Sequence, residues 1–268
     1  MRPPASMSRK NALIASKVFL LKEMVVRDLR ARYAGSGLGI AWAFAYPVLW
    51  MLLYTCVFSL VLRVPVEAGY ASFPEFLMAG LLPWMAIQEG IARSASVLVD
   101  NASMVKKTVF PLDTLVLSTV VAAAVSEGIA FTVFGVYVAF LGHLRIQWLL
   151  LAIPALVLQV LLTFGIGCIA ATLTAFVRDT AHAVGIVLTV GFYATPIVYP
   201  ASLVPARLRP FIQANPVTHL VDLYRRAFTL HLPPEPASIA YLTIFSLLAA
   251  ASGAAIFSRA RPHFADLI

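Results

Sequence analysis

Between Ile40 and Leu62 the chain runs for 23 residues without one charged side chain. A basic segment, Arg27-Asp28-Leu29-Arg30-Ala31-Arg32-Tyr33, and a small-residue hinge, Gly35-Ser36-Gly37-Leu38-Gly39, lead into it. A helix needs about 20 residues to cross the ~30 Å hydrocarbon core, so the run is long enough to span a membrane. The basic segment cannot follow it into lipid and is expected on the cytoplasmic face. Within the run Trp42, Tyr46, Trp50, Tyr54 and Phe58 recur at every fourth residue. At about 100° per residue each such step drifts by about 40°, so the five rings sweep a broad curved face.

Composition extends the argument to the whole chain. Of 268 residues, 61% are hydrophobic and 12% charged, with a mean hydropathy of +0.89. A soluble domain carries about 25% charge, so the chain is predicted to be an integral membrane protein with no separate soluble domain. The net charge of +8 does not point to nucleic acid. Eight of the 20 Lys and Arg fall in residues 1–37, and Arg259 and Arg261 lie near the other end. That is the distribution of cytoplasmic flanks, not of a basic patch on a soluble module. Cys56 and Cys168 sit inside apolar runs and read as packing residues. The first apolar run starts too late and lasts too long for a cleaved signal peptide, so it is expected to remain as an anchor.

Periodicity predicts an all-α fold, one transmembrane domain over 1–268 with six helical spans between 38 and 257. The spans fall at 38–62, 76–99, 115–141, 148–177, 184–199 and 237–257. Residues 1–16 read as loose and polar. From Lys17 to Tyr33, Val18, Leu21, Val25 and Leu29 alternate with Lys22, Arg27 and Arg30, which predicts an amphipathic helix over 17–33 lying in the membrane interface. Placing both termini inside gives 14 Lys and Arg to the inner face and six to the outer. Pro154 is expected to interrupt the fourth span. Between the fifth and sixth, Pro196, Pro200, Pro205, Pro210 and Pro216 forbid one continuous helix, yet Ile197, Leu203, Leu208, Phe211 and Ile212 are too apolar for a free loop. Non-helical backbone at membrane depth is tolerated only where protein or a water-filled cavity covers it, so short re-entrant helices are predicted over 200–216. No internal repeat supports an inverted-repeat carrier.

The chain offers little chemistry of its own. It has no phosphate-binding loop and no Gly-x-Ser-x-Gly elbow, and its five histidines and two cysteines lack metal-ligand spacing. No catalytic residue, metal or cofactor is therefore expected on it. Glu127 lies near the middle of the third span, where a carboxyl must face protein or water; it reads either as a hydrogen-bonding group toward a polar substrate or a dimer partner, or as a group satisfied between helices. Glu89 has Arg93 one turn later and reads either as its ion-pair partner or, like Glu127, as a group toward a polar substrate or a dimer contact. The aromatic row has two readings as well. Rings stack on the apolar faces of sugars while their edges reach hydroxyls, which gives a glycan a sliding surface; Trp and Tyr near span ends also suit the membrane interface. The segment 101–111 reads either as a short basic and apolar helix that docks on a soluble partner or as a positively charged inner loop.

An ordered set of short motifs resembles the type-2 ABC exporter permeases for cell-surface polysaccharides, which serve O-antigen, capsule and wall teichoic acid export. They are Arg27-Asp28-Leu29 with Arg32-Tyr33, Ser36-Gly37-Leu38-Gly39-Ile40 with Trp42 and Pro47, Gly80-Leu81-Leu82-Pro83-Trp84, and Val105-Lys106-Lys107 with Phe110-Pro111. Thr195-Pro196-Ile197 and Asn215-Pro216-Val217-Thr218 with Asp222 and Arg225 complete it. The set is collinear from about Lys17 to Arg226, and the O-antigen type is the most similar.

The resemblance implies a homodimer in the bacterial inner membrane, both termini cytoplasmic, joined by two copies of a separate ATPase subunit that binds ATP and Mg. The cargo implied is an undecaprenyl-linked polysaccharide, entering beside membrane lipid at Arg27, Arg30 and Arg32, whose charges suit its phosphates. Residues 101–108 would be a coupling helix, with Asn101, Met104, Val105, Lys106, Lys107 and Phe110 at the ATPase and Arg178 and Asp179 as a second contact. The first and fifth spans would line the channel with Trp42, Tyr46, Trp50, Tyr54, Phe58, Phe192 and Tyr193, and Glu127 is counted with them. Pro196, Tyr199, Pro200, Asn215 and Pro216 would form the periplasmic gate. Three rivals are a type-2 permease for a lipid or drug, a proton-driven carrier using Glu127, and a membrane glycosyltransferase, for which Asp222 and Glu235 are poor catalytic candidates.

Overall fold

The structure, a computed structural model, describes residues 9–33, 36–63, 69–106 and 110–268. Among these residues twelve α-helices follow in chain order: α1 (Arg9–Tyr33), α2 (Trp42–Tyr54), α3 (Phe73–Asp100), α4 (Ala102–Val105), α5 (Asp113–Phe140), α6 (Ile146–Leu149), α7 (Ala152–Phe176), α8 (Thr180–Ala194), α9 (Arg209–Gln213), α10 (Pro216–Arg225), α11 (Pro236–Ala260) and α12 (Phe264–Leu267). The expected all-α class holds, with no strand among the described residues. Among the described residues, four helical stretches are long and apolar enough to cross a membrane: Trp42–Val61, Asp113–Phe140, Ala152–Phe176 and Pro236–Leu267. α8 is apolar but only 15 residues long, and α3 carries Glu75, Glu89 and Arg93 along its 28 residues.

α3 is the hub, and that explains its composition. It packs against α5, α7, α8, α10 and α2, and most of its length is buried. Glu75 is enclosed, while Gln88, Glu89, Ala92, Arg93 and Ser96 form a half-open stripe where Glu89 and Arg93 meet Arg32 and Asp28 of α1. Polar groups that meet protein rather than lipid need no apolar helix. Its start is written locally: Ser72 caps it by accepting from the Glu75 N–H at 3.4 Å, and Pro74 sits in the first turn, where its missing N–H costs nothing.

Between lipid-facing helices the hydrophobic effect is absent, so close packing must hold them together. α7 and α11 show how. A Cβ built on Gly165 would land on the Ala249 carbonyl, and one on Gly253 would land on the Gly165 carbonyl. Two backbones thus touch across Gly165 and the small-xxx-small pattern Ala249–Gly253, a spacing that brings both small residues to one helix face.

Several element boundaries differ from the sequence expectation. Residues expected to be loose at 9–16 belong to α1. The fourth span is interrupted as expected: α6 ends at Leu149 and α7 begins at Ala152, with Pro154 in its first turn, where no N–H can bond back to Leu150 O. The fifth helix stops at Ala194 instead of reaching 199, since Pro196 biases its predecessor, Thr195, out of helical geometry (ψ 135°). The segment predicted at 200–216 forms a short turn at Ala201–Leu203, then α9, and continues past 216 as α10 and a wider turn over Arg226–Leu230.

The helix expected over 17–33 forms as part of α1 and packs along α5. Lys17 Nζ lies 3.5 Å from Asp113 at the start of α5, Met24 packs with Leu112, Leu115 and Val116, and Arg32 donates to Ser126 Oγ at 2.8 Å. α1 therefore runs beside α5 over 13 residues of that helix, roughly 20 Å at 1.5 Å per residue.

Candidate functional site

The aromatic row survives as a ladder of touching rings. Tyr46 and Trp50 meet edge to face at 5.9 Å, Trp50 and Tyr54 at 5.2 Å, and Tyr54 and Phe58 stack at 5.8 Å with 19° between planes. Regular α-geometry would let the last pair drift apart by about 40°. The helix widens over Thr55–Val61, where Leu62 N–H bonds back to Val57 O five residues earlier. At about 4.4 residues per turn a four-residue step falls about 33° short of a full turn, so it runs back against the drift built up along α2, and such widenings recur at functional sites. Phe192 of α8 then joins the ladder, 6.4 Å from Tyr54, with Tyr193 at 5.1 Å beyond it. Two rings that the sequence had not assigned complete it: Trp84, 6.0 Å from Phe192, and Phe73, 6.3 Å from Phe58. The signal for Trp84 was present in Gly80-Leu81-Leu82-Pro83-Trp84 without a spatial partner.

The ladder runs from an open face into the core: Tyr46 and Tyr193 are exposed, Trp50, Tyr54, Phe58 and Phe192 half-buried, and Trp84 and Phe73 buried. Tyr46 is 50% exposed and Tyr193 64%, and Leu49, Leu52, Ile186 and Val190 beside them are exposed too. Trp42 shares this face but has no ring contact with the ladder. Glu127 does not reach it. At 3% exposure it is enclosed by Gln159 of α7, which donates to it at 2.5 Å, and by Tyr224 of α10.

One end of the bundle gathers the residues assigned to coupling. Val105 is buried with Met24, Leu98, Leu112, Ala175, Phe257 and Phe264, and Met104 and Phe110 pack on the same cluster. Ala175 sets the exposed turn Arg178-Asp179 beside it. Lys106 and Ser103 point outward, and Asn101 anchors the break after α3 by donating to Val97 O at 2.9 Å. Lys107, with 108 and 109, lies outside the described residues. Sequence reasoning missed the C-terminal turn: Phe264 is fully buried in this cluster, and Arg261 donates to Phe110 O at 3.1 Å. A buried aromatic in a short polar tail has no periodicity to betray it.

Above that end, Arg27 and Arg30 are exposed, whereas Arg32 is engaged. Arg32 pairs with Glu89 at 2.6 Å and Asp28 at 3.0 Å, and Arg93 pairs with Asp28 and, at 3.4 Å, Glu89. The expected Glu89–Arg93 pair exists as one side of a four-membered ring that joins α1 to α3.

At the opposite end lie the residues assigned to the gate. Asn215 caps α10 by accepting from Val217 N–H at 3.0 Å, and its amide donates to Thr195 Oγ1 at 2.8 Å. Pro196 and Pro200 are buried, and Tyr199 donates to Tyr193 O at 2.7 Å. An open cleft of about 590 Å³ lies here, lined by Tyr193, Tyr199, Leu203, Leu208, Phe211 and Asn215. The separate motifs at 195–197 and 215–225 thus converge at one place. Nearby, His143 bonds the buried Glu75 at 2.9 Å, while burial, followed by Arg145, holds the His231 imidazole below its usual pKa.

Long apolar helices packed through small residues, with aromatic rings on a partly open face, define a helical membrane protein. The chain belongs to the ABC-2 type transporter family, which it matches over residues 20–229. It is 34% identical over 256 residues to the O-antigen export system permease protein RfbA of Klebsiella pneumoniae, covering 93% of this chain and 95% of that protein. The protein of the same name from Myxococcus xanthus is 31% identical over 252 residues, with the same coverage. The polysialic acid transport protein KpsM of Escherichia coli is 25% identical over 246 residues, covering 88% of this chain and 92% of that one.

Proposed function

We propose that the chain is the transmembrane subunit of an ATP-driven exporter that moves a lipid-linked polysaccharide, of O-antigen or capsular type, out across the bacterial inner membrane. The observation that carries this reading is the similarity to O-antigen export permeases along nearly the full length of both chains. In this reading α3 and α8 complete six crossings, both termini are cytoplasmic, and α9 and α10 re-enter the outer leaflet. Two copies of the chain assemble with two copies of an ATPase subunit, which carries the ATP and Mg. The open faces of α2 and α8 support the dimer, because a ladder of rings exposed on one copy makes only half of a lined path. The glycan slides along Tyr46, Trp50, Tyr54, Phe58 and Phe192, and its undecaprenyl-linked phosphates are received by Arg27 and Arg30, the charges left open by the ring at Arg32. The enclosure of Glu127 counts against a proton-driven carrier, which needs that carboxyl on an aqueous path.

The ATPase docks at α4 and the Arg178-Asp179 turn. Val105→Asp, which puts a charge into the cluster beneath α4, together with Lys106→Glu is expected to abolish co-purification with the ATPase while the permease itself still accumulates in membranes. Retention of the complex at wild-type yield would remove the coupling role. Replacing Tyr46, Trp50 and Tyr54 by alanine is expected to cut surface polysaccharide at least tenfold with the complex intact. Each lost stacking contact is worth about 0.5–1.5 kcal/mol, and three together exceed one decade. Unchanged export in that triple variant would return the rings to the role of membrane belt.

A further inference from the structure

Arg225 stands on α10, at the far end from the coupling surface, and is 5% exposed. Its guanidinium donates to Pro196 O at 2.9 Å, Ile197 O at 2.9 Å and Phe76 O at 3.2 Å, and its carbon lies 3.8 Å over the Phe76 ring. Pro196 and Ile197 follow the end of α8, where the chain has left the helix and its carbonyls have lost their intrahelical partners. Thr195, Ile197 and Val198 are all but fully buried, so water cannot serve those carbonyls. An unpaired carbonyl in such a place is costly, and irregular backbone at membrane depth persists only if protein satisfies it.

The fork of Arg225 meets this need in a way no other side chain can. Its planar donors reach two successive carbonyls of the 195–197 bend and a third on α3, and its positive charge faces the negative end of the α8 dipole. The seat is shaped for it. A Cβ on Gly80 would lie 3.1 Å from a guanidinium nitrogen and 3.0 Å from Val221. α8 carries Phe192 and Tyr193 of the ladder, so whatever fixes the end of α8 fixes the outer end of the ladder as well.

We propose that Arg225 is the positioning residue of the outer closure: it holds the 195–197 bend against α3 and so keeps the outer end of the transport path shut between transport cycles. This rests on reading the Pro196–Pro216 region as the gate of an exporter. Arg225 touches no cargo; it acts through the bend.

The test uses the full complex of permease and ATPase reconstituted in liposomes loaded with a small self-quenched dye. Arg225→Lys keeps the charge but lacks the fork. It is expected to co-purify with the ATPase and to hydrolyse ATP near the wild-type rate, while dye leakage without ATP rises about tenfold, the change in closed population expected from one lost charge-assisted hydrogen bond. Gly80→Ala disturbs the seat and leaves the arginine in place, and it is expected to leak to a smaller extent; it serves as the second variant if Arg225→Lys does not assemble. A tight, fully active Arg225→Lys complex, or a tight complex with both variants that merely exports less, overturns the proposal. A wild-type complex that carries no lipid-linked glycan but still leaks on the Arg225 change would sink the cargo assignment and leave the closure standing.

Discussion

Replacing Gly165 with leucine is expected to prevent α7 and α11 from packing and to leave little folded protein. The two backbones meet at Gly165 and Gly253 so closely that even a methyl group at either position would sit on a carbonyl of the other helix. Overpacking in a tolerant core costs about 1–3 kcal/mol because side chains can shift. Here the obstacle is backbone, so relief requires moving the helices apart along their whole contact. The cost should reach about 3 kcal/mol or more, a large part of the total stability of an ordinary domain. Small residues bring membrane helices together because van der Waals contact must replace the missing hydrophobic drive. Thermal unfolding of the detergent-solubilised protein measures it. Gly165→Leu should fail to accumulate or melt far below wild type, and Gly165→Ala should fall between. A leucine variant that melts with wild type would mean that the helices cross elsewhere.

Reversing the charge at Arg93 is expected to detach α1 from α3. Arg93→Glu sets three carboxylates, at 28, 89 and 93, around the single cation Arg32, where two of each sign now alternate. Breaking a buried pair costs several kcal/mol; these side chains are partly open to solvent, and screening reduces the figure to roughly 1–3 kcal/mol. The double reversal Asp28→Arg with Arg93→Asp supplies the control. It restores opposite charges across the helices but places like charges four residues apart within each, so partial recovery is expected. Limited proteolysis of α1 and the melting temperature both read the effect. If the double reversal is no better than Arg93→Glu alone, the ring is not what binds the helices.

What the sequence disclosed and what it hid follow from the reach of each interaction. The spacing of Tyr46, Trp50, Tyr54 and Phe58 is local, so the ladder could be read from one helix, and the widened turn at 55–61 only sharpened it. Glu89 and Arg93 are one turn apart and were readable for the same reason. Asp28 lies 65 residues from Arg93, and no periodicity announces such a pair. The same holds for Arg225, 149 residues from Phe76, and for Phe264 beneath Val105. Motifs marked some of these positions without saying why they occur together; the fold supplies the reason by bringing Thr195, Asn215 and Arg225 to one bend. Composition placed a span at 76–99 but not its central position, because an apolar residue buried by protein and one facing lipid look alike in a sequence.

The central claim is that this chain moves a lipid-linked glycan with energy drawn from a partner. The most direct measurement is transport by the purified permease–ATPase complex in liposomes, supplied with lipid-linked polysaccharide on one side and probed on the other with a glycan-specific enzyme. The account predicts transfer that requires ATP, disappears with Val105→Asp and Lys106→Glu, and ignores an imposed proton gradient. Transfer by the permease alone, following the proton gradient without ATP, would contradict it.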